Sequence, residues 1–81
     1  MPEFLDIRGL RFDDAARRID PWIDGALASG QEGPLTLIHG IGSGALRDGV
    51  RAHLREHPAG LAFAPGDHDS GGDTVTVISL G

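Results

Sequence analysis

Cysteine, lysine and tyrosine are all absent from this sequence of 81 residues. The absence of cysteine excludes a disulfide framework, a thiolate zinc site and a cysteine nucleophile. The absence of lysine excludes a phosphate-binding loop of the Walker type and Schiff-base chemistry. All strongly basic residues are arginine, and the formal net charge is −5. Because nonspecific nucleic-acid binders are usually basic, a nucleic-acid partner would require a local arginine patch or a larger parent protein.

Long apolar runs are missing as well. None approaches the roughly 18 residues that a membrane span requires, and no basic-then-apolar leader opens the chain. We therefore expect a soluble, cytoplasmic protein with no membrane partner. At this length, residues 1–81 are expected to form one domain with one modest core.

The spacing of apolar residues predicts four strands and two helices. The strands are predicted at residues 4–8, 35–39, 61–64 and 74–80. A first helix, capped by Asp13 or Asp14 and stopped by Gly30, has apolar residues at helical spacing: Ala16, Ile19, Ile23 and Ala26 or Leu27. A second helix is predicted from about residue 45 to residue 57.

Pro21 interrupts the pattern of the first helix. A proline inside a helix should cost about 3 kcal/mol or force a kink. Because Pro21 lies on the polar side with Arg17 and Asp24, a bend there keeps the apolar side on the core. We predict one helix bent near residues 19–22, with a break at Asp20 as the alternative.

The element order β-α-β-α-β-β predicts an α/β fold. Each strand–helix–strand crossover should be right-handed and connect parallel strands, and the last two strands can pair antiparallel. At this length, two layers are favoured: a mixed four-stranded sheet with both helices on one face, a two-layer sandwich.

The carboxyl ends of the first two strands carry the polar groups of interest. The first strand ends with Asp6 and Arg8, and the second ends with His39 followed by a glycine-rich turn into a helix. Parallel strands bring these ends to the same edge of the sheet, where α/β proteins bind ligands. A carboxylate, a guanidinium, an imidazole and a helix start therefore predict an anion site with acid–base groups.

Each part of this set also has a purely structural interpretation. The glycines can serve only the tight turn, His39 can be a satisfied core histidine, and Asp6 with Arg8 can be a surface ion pair of little energetic value. Elsewhere, Arg47, Arg51 and Arg55 form an i, i+4, i+8 row, which is typical of a solvated helix flank. The oxygen and nitrogen donors of residues 67–69 could hold a metal ion, without a fixed geometry.

Three segments together resemble one family. Residues 5–9 (LDIRG), 38–44 (IHGIGSG) and 71–77 (GGDTVTV) are similar, in order, to the three motifs of the small MutS-related (Smr) domain. Arg8, where many stand-alone members carry histidine, resembles the version at the C-terminus of a bacterial MutS paralogue that suppresses homologous recombination. Asp73 with Thr74 replaces the more usual glycine before the last strand, and Pro21 is a second departure.

The resemblance implies a fold like the C-terminal domain of a bacterial translation initiation factor. It further implies a C-terminal fragment of a larger protein with upstream ATPase domains. Members of the family nick DNA with little sequence preference, cleave RNA, or act on ribosomes. By match to the motifs, Asp6 and Arg8 carry over as the residues most tied to cleavage. The loop of His39, Gly40, Gly42 and Gly44 carries over as the motif that places the substrate.

The leading hypothesis is an endonuclease that nicks DNA in repair or in suppression of recombination. Phosphate binding is assigned to Arg8, Arg47 and the loop residues Gly40, Gly42, Ser43 and Gly44. Asp6 would orient or deprotonate the attacking water, directly or through a magnesium or manganese ion that it helps to hold. His39 is the predicted proton donor to the leaving oxygen.

Two alternatives remain open at this point. The chain could be a non-catalytic module that binds branched DNA or a stalled ribosome for a parent ATPase, which suits the acidic net charge. It could also be a structural domain for protein contact, with Trp22 and the loop 65–73 as the available surface features.

Overall fold

Two helices and four strands make up residues 3–80, the part of the chain that the computed structural model describes. They occur in the predicted order: β1 (Phe4–Asp6), α1 (Phe12–Ala28), β2 (Leu35–Ile38), α2 (Ala45–Arg55), β3 (Ala62–Pro65) and β4 (Val75–Ser79). The strands and α2 are mostly shorter than predicted, and the polar loop before β4 contains two short 3-10 turns. Within residues 3–80, neither helix has the length and apolar character needed to cross a membrane.

The four strands form one mixed sheet in the order β1-β2-β4-β3. β1 pairs in parallel with β2, and β4 pairs antiparallel with both β2 and β3. β1, β2 and β3 therefore share one direction, as the two crossovers predicted, and β4 lies between β2 and β3. The predicted sheet is confirmed, and the insertion of β4 into its centre is new information.

Both helices cover the same face of this sheet. Their side chains meet across the helix pair, where Asp20 lies 2.7 Å from His53. The inner face of the sheet alternates in burial, so Leu35 and Leu37 of β2 are fully buried while the intervening Thr36 is only half-buried. The buried apolar core joins all layers: Ile7, Ala15, Ile19, Trp22, Ile23, Ala26, Leu35, Leu37, Val50, Leu54 and Ile78.

The first helix runs without interruption through Pro21, so the alternative break at Asp20 is wrong. The helix begins at Phe12 with Arg11 as its N-cap, so the predicted cap at Asp13 or Asp14 is wrong, and both aspartates lie inside the first turn. There the negative charges of their carboxylates interact favourably with the positive end of the helix dipole. The bend near residues 19–22 stays a prediction.

Burial on α1 differs from the predicted stripe at three positions. Ala15 rather than Ala16 is fully buried, and Leu27 is exposed. Trp22 is buried in the core with 5% exposure, so it cannot serve as a surface for a protein partner. The helix therefore turns a wider apolar side toward the sheet than the spacing alone indicated, because the tryptophan belongs to it.

Removal of the interior proline should stabilise the protein. We expect Pro21→Ala to raise the free energy of unfolding by roughly 2 kcal/mol, because a continuous helix regains a hydrogen bond and loses a ring clash. The net gain in stability is smaller than the full cost of an interior proline, because alanine gives the unfolded chain more conformational freedom than proline does. Urea unfolding checks this, with Pro58→Ala beyond the end of α2 as the control. A midpoint equal to that of the wild type would contradict the prediction.

Candidate functional site

The ends of β1 and β2 lie side by side, so the two polar segments meet as predicted. Asp6 is in register with Ile38, and the next amide, that of Ile7, donates to the Ile38 carbonyl at 2.9 Å. Beyond this point Arg8 crosses the turn that follows β2. A Cβ atom on Gly40 would lie 3.4 Å from Cγ of Arg8, which is close van der Waals contact. The aliphatic part of the Arg8 side chain thus lies directly on the turn.

Asp6 and Arg8 form a forked ion pair at the rim of the site. The Arg8 amide and Nε each donate to Oδ1 of Asp6 at 3.0 Å, and Nη2 donates to Oδ2 at 2.7 Å. Hydrogen bonds from the Arg8 side chain and backbone lower the pKa of Asp6 to about 2. Both side chains are largely exposed, so the pair contributes little to stability. Its effect is to fix the direction of the guanidinium and to keep Asp6 ionised.

The turn between β2 and α2 depends on glycine at three alternate positions. Gly40, Gly42 and Gly44 have φ angles of +72°, +42° and +85°, a region that side-chain-bearing residues rarely adopt. Gly44 is the N-cap of α2 and supplies no side-chain cap. The Ser43 hydroxyl accepts from the Ala45 amide at 3.3 Å. The start of α2 therefore offers backbone N–H groups, with their partial positive charge, to an anion.

An open groove of about 490 Å³ lies beside this turn. Its two sides are the turn after β1 (residues 9–12) and the segment from His39 to Arg47. The apolar side chains that line it are Leu10, Phe12, Ile41 and Leu46. Of the residues predicted for the site, Asp6 and Arg8 lie at the neighbouring strand end, and the others line the groove itself.

His39 is buried, with 6% exposure, and both of its ring nitrogens are occupied. Nδ1 lies 2.9 Å from the Gly40 carbonyl, which can only accept, so Nδ1 carries the proton. Nε2 lies 2.8 Å from Oγ1 of Thr76, which in turn accepts from Nε of Arg51 at 2.9 Å. The Thr76 hydroxyl therefore donates to Nε2. These bonds hold the ring between the glycine turn and β4.

Burial lowers the pKa of His39 below its usual value, and the bond to the Gly40 carbonyl opposes this effect only in part. The positive charges of Arg51 and Arg47 act in the same direction as burial. The imidazole is therefore neutral near pH 7. Its role as a proton donor stays a prediction, and its hydrogen bonds favour a positioning role for the turn.

Arg51, in the middle of the arginine row of α2, faces the start of β4, which corrects the interpretation of the row as a solvated flank at this position; Arg55 is exposed. The Arg51 side chain is 15% exposed and donates from Nη2 to the Val75 carbonyl at 3.3 Å. Arg55 lies over the ring of Phe63, 5.6 Å from its centroid. The contacts of Arg51 with Thr76 escaped the sequence analysis, because they join residues 25 positions apart. A threonine at a core-facing position of a strand was the available signal.

Arg47 lies over the last glycine of the turn. A Cβ atom on Gly44 would meet Nη2 of Arg47 at 2.8 Å. The guanidinium also contacts Asp48 at 3.0 Å and, more distantly, Asp73 at 3.9 Å. These carboxylates offset part of its charge, and an incoming anion would have to compete with them. Asp73, which takes the place of a glycine in the third motif, thus lies next to the predicted phosphate site.

The donor set does not fit a tightly held metal ion. Within residues 3–80 there is no group of three or more histidine, aspartate or glutamate side chains that could hold one. Asp67, His68 and Asp69 therefore do not converge on a metal site. Asp6 presents a single carboxylate that already accepts from Arg8. Dependence on magnesium or manganese stays a prediction.

Comparison with known proteins agrees with the motifs. The profile of the Smr domain family matches residues 5–81, which is nearly the whole chain. The chain belongs to the Smr domain family. In three dimensions, this Smr domain matches the crystal structure of the Smr domain of Thermus thermophilus MutS2 with a TM-score of 0.90, 36% identity and 99% coverage of both chains.

Curated relatives of this Smr domain carry the name "Endonuclease MutS2". The protein from Lactobacillus helveticus is 44% identical over 78 residues, and that from Anaeromyxobacter sp. is 42% identical over 76 residues; each match covers 94% of this chain. The match to the Streptococcus pyogenes protein covers 95% of this chain at 40% identity. The chain spans about a tenth of the length of these relatives.

Proposed function

We propose that this Smr domain is a nucleic-acid endonuclease that nicks DNA with little sequence preference. The observation that carries the proposal is the meeting of the Asp6–Arg8 pair with the glycine turn at one sheet edge. The name of the MutS2 relatives supports it. A role in DNA repair and suppression of recombination, with DNA delivered by upstream ATPase domains of a parent protein, is part of the same proposal.

The phosphate lies between Arg8 and the start of α2. Asp6 engages Nε and Nη2 of Arg8, and within residues 3–80 Asp6 is the only ion-pair partner of that guanidinium. The remaining N–H groups are free to donate to a phosphate oxygen. The amides of residues 42 and 43, the Ser43 hydroxyl and Arg47 supply donors from the other side, since the Gly44 amide donates to the Ile41 carbonyl and the Ala45 amide to the Ser43 hydroxyl. Gly40, Gly42 and Gly44 let the backbone approach the phosphate closely.

Asp6 acts on the attacking water by orienting it. A carboxylate whose pKa is about 2 is too weak a base to deprotonate water efficiently near pH 7. The oxygen of that water forms the new bond to phosphorus and passes its proton to solvent in the open groove, while the bond from phosphorus to the leaving oxygen breaks. Arg8 and the loop amides offset the negative charge that develops on the phosphoryl oxygens. Because Asp6 is so weak a base, we expect a slow enzyme.

The leaving oxygen must gain a proton. His39 was assigned this role from the sequence, yet its ring is neutral near pH 7 and both nitrogens are engaged. We propose instead that His39 positions the Gly40 turn, and that solvent in the open groove supplies the proton. On this proposal, His39 would affect the rate through the shape of the turn.

The second candidate function is a binding module without catalysis, for branched DNA or stalled ribosomes. The observations that favour it are the net charge of −5 and the lack, within residues 3–80, of a multi-carboxylate cluster. A binding module requires only the phosphate contacts described above. RNA remains a candidate ligand for either function, since the same donors bind any phosphodiester.

Nicking of supercoiled plasmid separates the two functions. The wild-type domain should convert supercoiled to open-circular DNA, and folded Asp6→Ala should lack this activity. If a divalent ion assists, a chelator should abolish nicking and magnesium or manganese should restore it; full activity in chelator would remove the ion from the proposal. Equal nicking by Asp6→Ala would point to a contaminating nuclease. DNA binding without any nicking would leave the binding module.

A further inference from the structure

The groove beside the proposed phosphate site has an apolar wall that phosphate contacts do not explain. Phe12 and Ile41 line it and are 37% and 64% exposed. Leu10 and Leu46 line the same groove and pack partly against the core. A large apolar side chain in water is unfavourable, and several of them in one concave surface are typical of a ligand site.

The ring of Phe12 is held in place by α2. A Cβ atom on Gly49 would lie 3.1 Å from Cδ1 of Phe12, so the helix backbone lies directly against the ring. The imidazole of His53 meets the same ring in a T-shaped contact, with 5.7 Å between centroids. His53 is itself fixed by Asp20 at 2.7 Å. An aromatic surface that is ordered before binding loses little conformational freedom when a ligand covers it.

We infer that Phe12 and Ile41 bind one unstacked nucleobase of a strand whose phosphate lies at Arg8 and the glycine turn. The inference rests on the proposed function and assigns its substrate class: nucleic acid with unpaired nucleotides. Aromatic rings bind nucleobases of any sequence by stacking, which agrees with little sequence preference. In a fully paired duplex the bases are stacked on one another and cannot enter the groove.

The groove combines donors for an anion with an apolar surface, and this combination indicates what it binds. Arg47 and the start of α2 bound it on one side, together with Ile41 and Leu46, and Leu10 and Phe12 form the opposite side. A nucleotide carries both matching parts, an anionic phosphate and a flat apolar base. The groove volume of about 490 Å³ falls within the range typical of sites for small organic ligands.

Fluorescence anisotropy with a labelled single-stranded 12-mer of deoxythymidine tests the inference on the 81-residue chain. The comparison is the same 12-mer with abasic sites, which has equal charge and no bases. We expect the wild type to bind the intact strand roughly tenfold more tightly, the scale of one stacked base. A 12-base-pair duplex should bind the wild type and Phe12→Leu equally well, because no base is free to enter the groove.

Two variants locate the effect. Phe12→Leu keeps an apolar side chain against α2 but loses the stacking surface, and Ile41→Ser alters an exposed loop tip that carries little of the fold. Each should bring the ratio of intact to abasic affinity close to one without changing the affinity for the abasic strand. Leu27→Ala, an equally apolar exposed change on α1 outside the groove, should leave the ratio unchanged.

Other results overturn the inference in distinguishable ways. Equal binding of intact and abasic strands by the wild type would reject the base site while leaving the proposed function in place. A preference for the intact strand that survives in both variants would place the base elsewhere. If neither strand binds at low salt, the proposed function fails, and the inference fails with it.

Discussion

Arg8→Ala should weaken DNA binding by roughly 2–3 kcal/mol, the loss expected for charge-assisted hydrogen bonds to a phosphate. This corresponds to an increase in Kd on the order of 30- to 150-fold. The aliphatic part of the Arg8 side chain lies against Gly40, and Asp6 fixes the direction of the guanidinium, so its free N–H groups are already aligned for an anion. Gel shift or anisotropy at low salt measures the change. Circular dichroism shows whether the variant is folded.

The chain offers a closely matched control for this charge change. Arg17 forms an exposed ion pair with Asp14 at 3.0 Å on α1, away from the groove. Arg17→Ala removes the same charge and a similar contact, so it should leave the affinity within about twofold, the range of a weakly contributing surface pair. Unchanged affinity in folded Arg8→Ala, or an equal loss in Arg17→Ala, would reject Arg8 as a specific phosphate ligand.

Asp6 and Arg8 should behave as one unit in a double-mutant cycle. If Asp6 works mainly by holding Arg8, the double Asp6→Ala, Arg8→Ala variant should bind DNA no more weakly than Arg8→Ala alone. Nicking can still fall further in the double variant, because Asp6 also orients the attacking water. The cycle therefore separates the positioning of the guanidinium from the action on water, which a single substitution cannot do.

Local sequence patterns predicted the parts of the site that lie close together in the chain. The alternation in residues 4–8 and the glycine spacing after His39 identified β1, the end of β2 and the turn. Parallel pairing then brought Asp6 and Arg8 next to Gly40. These predictions succeeded because strand period, backbone freedom of glycine and parallel pairing are each determined over short distances.

The contacts that depend on strand order could not be predicted in the same way. Nothing in the sequence placed β4 between β2 and β3, and this insertion brings Thr76 under His39. The sequence motif alone therefore favours a chemical role for His39, whereas its buried partners favour a positioning role. Phe12 was missed for a different reason: its contact with Gly49 depends on how α1 and α2 pack. Both contacts, that of Thr76 with His39 and that of Phe12 with Gly49, are set by tertiary packing rather than by local secondary-structure propensity.

The second large effect concerns the hydrogen-bond chain from Arg51 through Thr76 to His39. Thr76→Val keeps the shape of the side chain but removes the oxygen that bonds to both neighbours. A buried polar atom without a partner costs about 1–3 kcal/mol, and a charged one costs more. We expect a loss of roughly 3 kcal/mol in the free energy of unfolding. That is a large part of the ~4–12 kcal/mol typical of a chain this size.

The matched control for Thr76→Val is Thr36→Val on β2. Thr36 lies on the outer face of the sheet and is only half-buried, so the same change there should alter the free energy of unfolding by no more than about 0.5 kcal/mol. Urea unfolding at pH 7.5 measures both. Equal stability of Thr76→Val and the wild type would show that the hydroxyl bridge contributes nothing to the fold.

The hydrogen bonds of His39 also predict how the stability of the protein depends on pH. The pKa of His39 is lowered in the folded protein, so below the usual pKa of about 6.5 the unfolded chain binds more protons at this residue than the folded one. The contribution of His39 is therefore fully present above about pH 6.5. It is lost as the pH falls from there toward the lowered pKa, where protonation would break the bond that Nε2 accepts from Thr76.

The free energy of unfolding of the wild type should decline over this interval, and replacement of the ring by His39→Gln should make the decline shallower. If the free energy of unfolding declines with equal slope in the two proteins between pH 7 and pH 5, the decline belongs to other groups. A neutral His39 ring with both nitrogens hydrogen-bonded would then no longer explain how the turn is held.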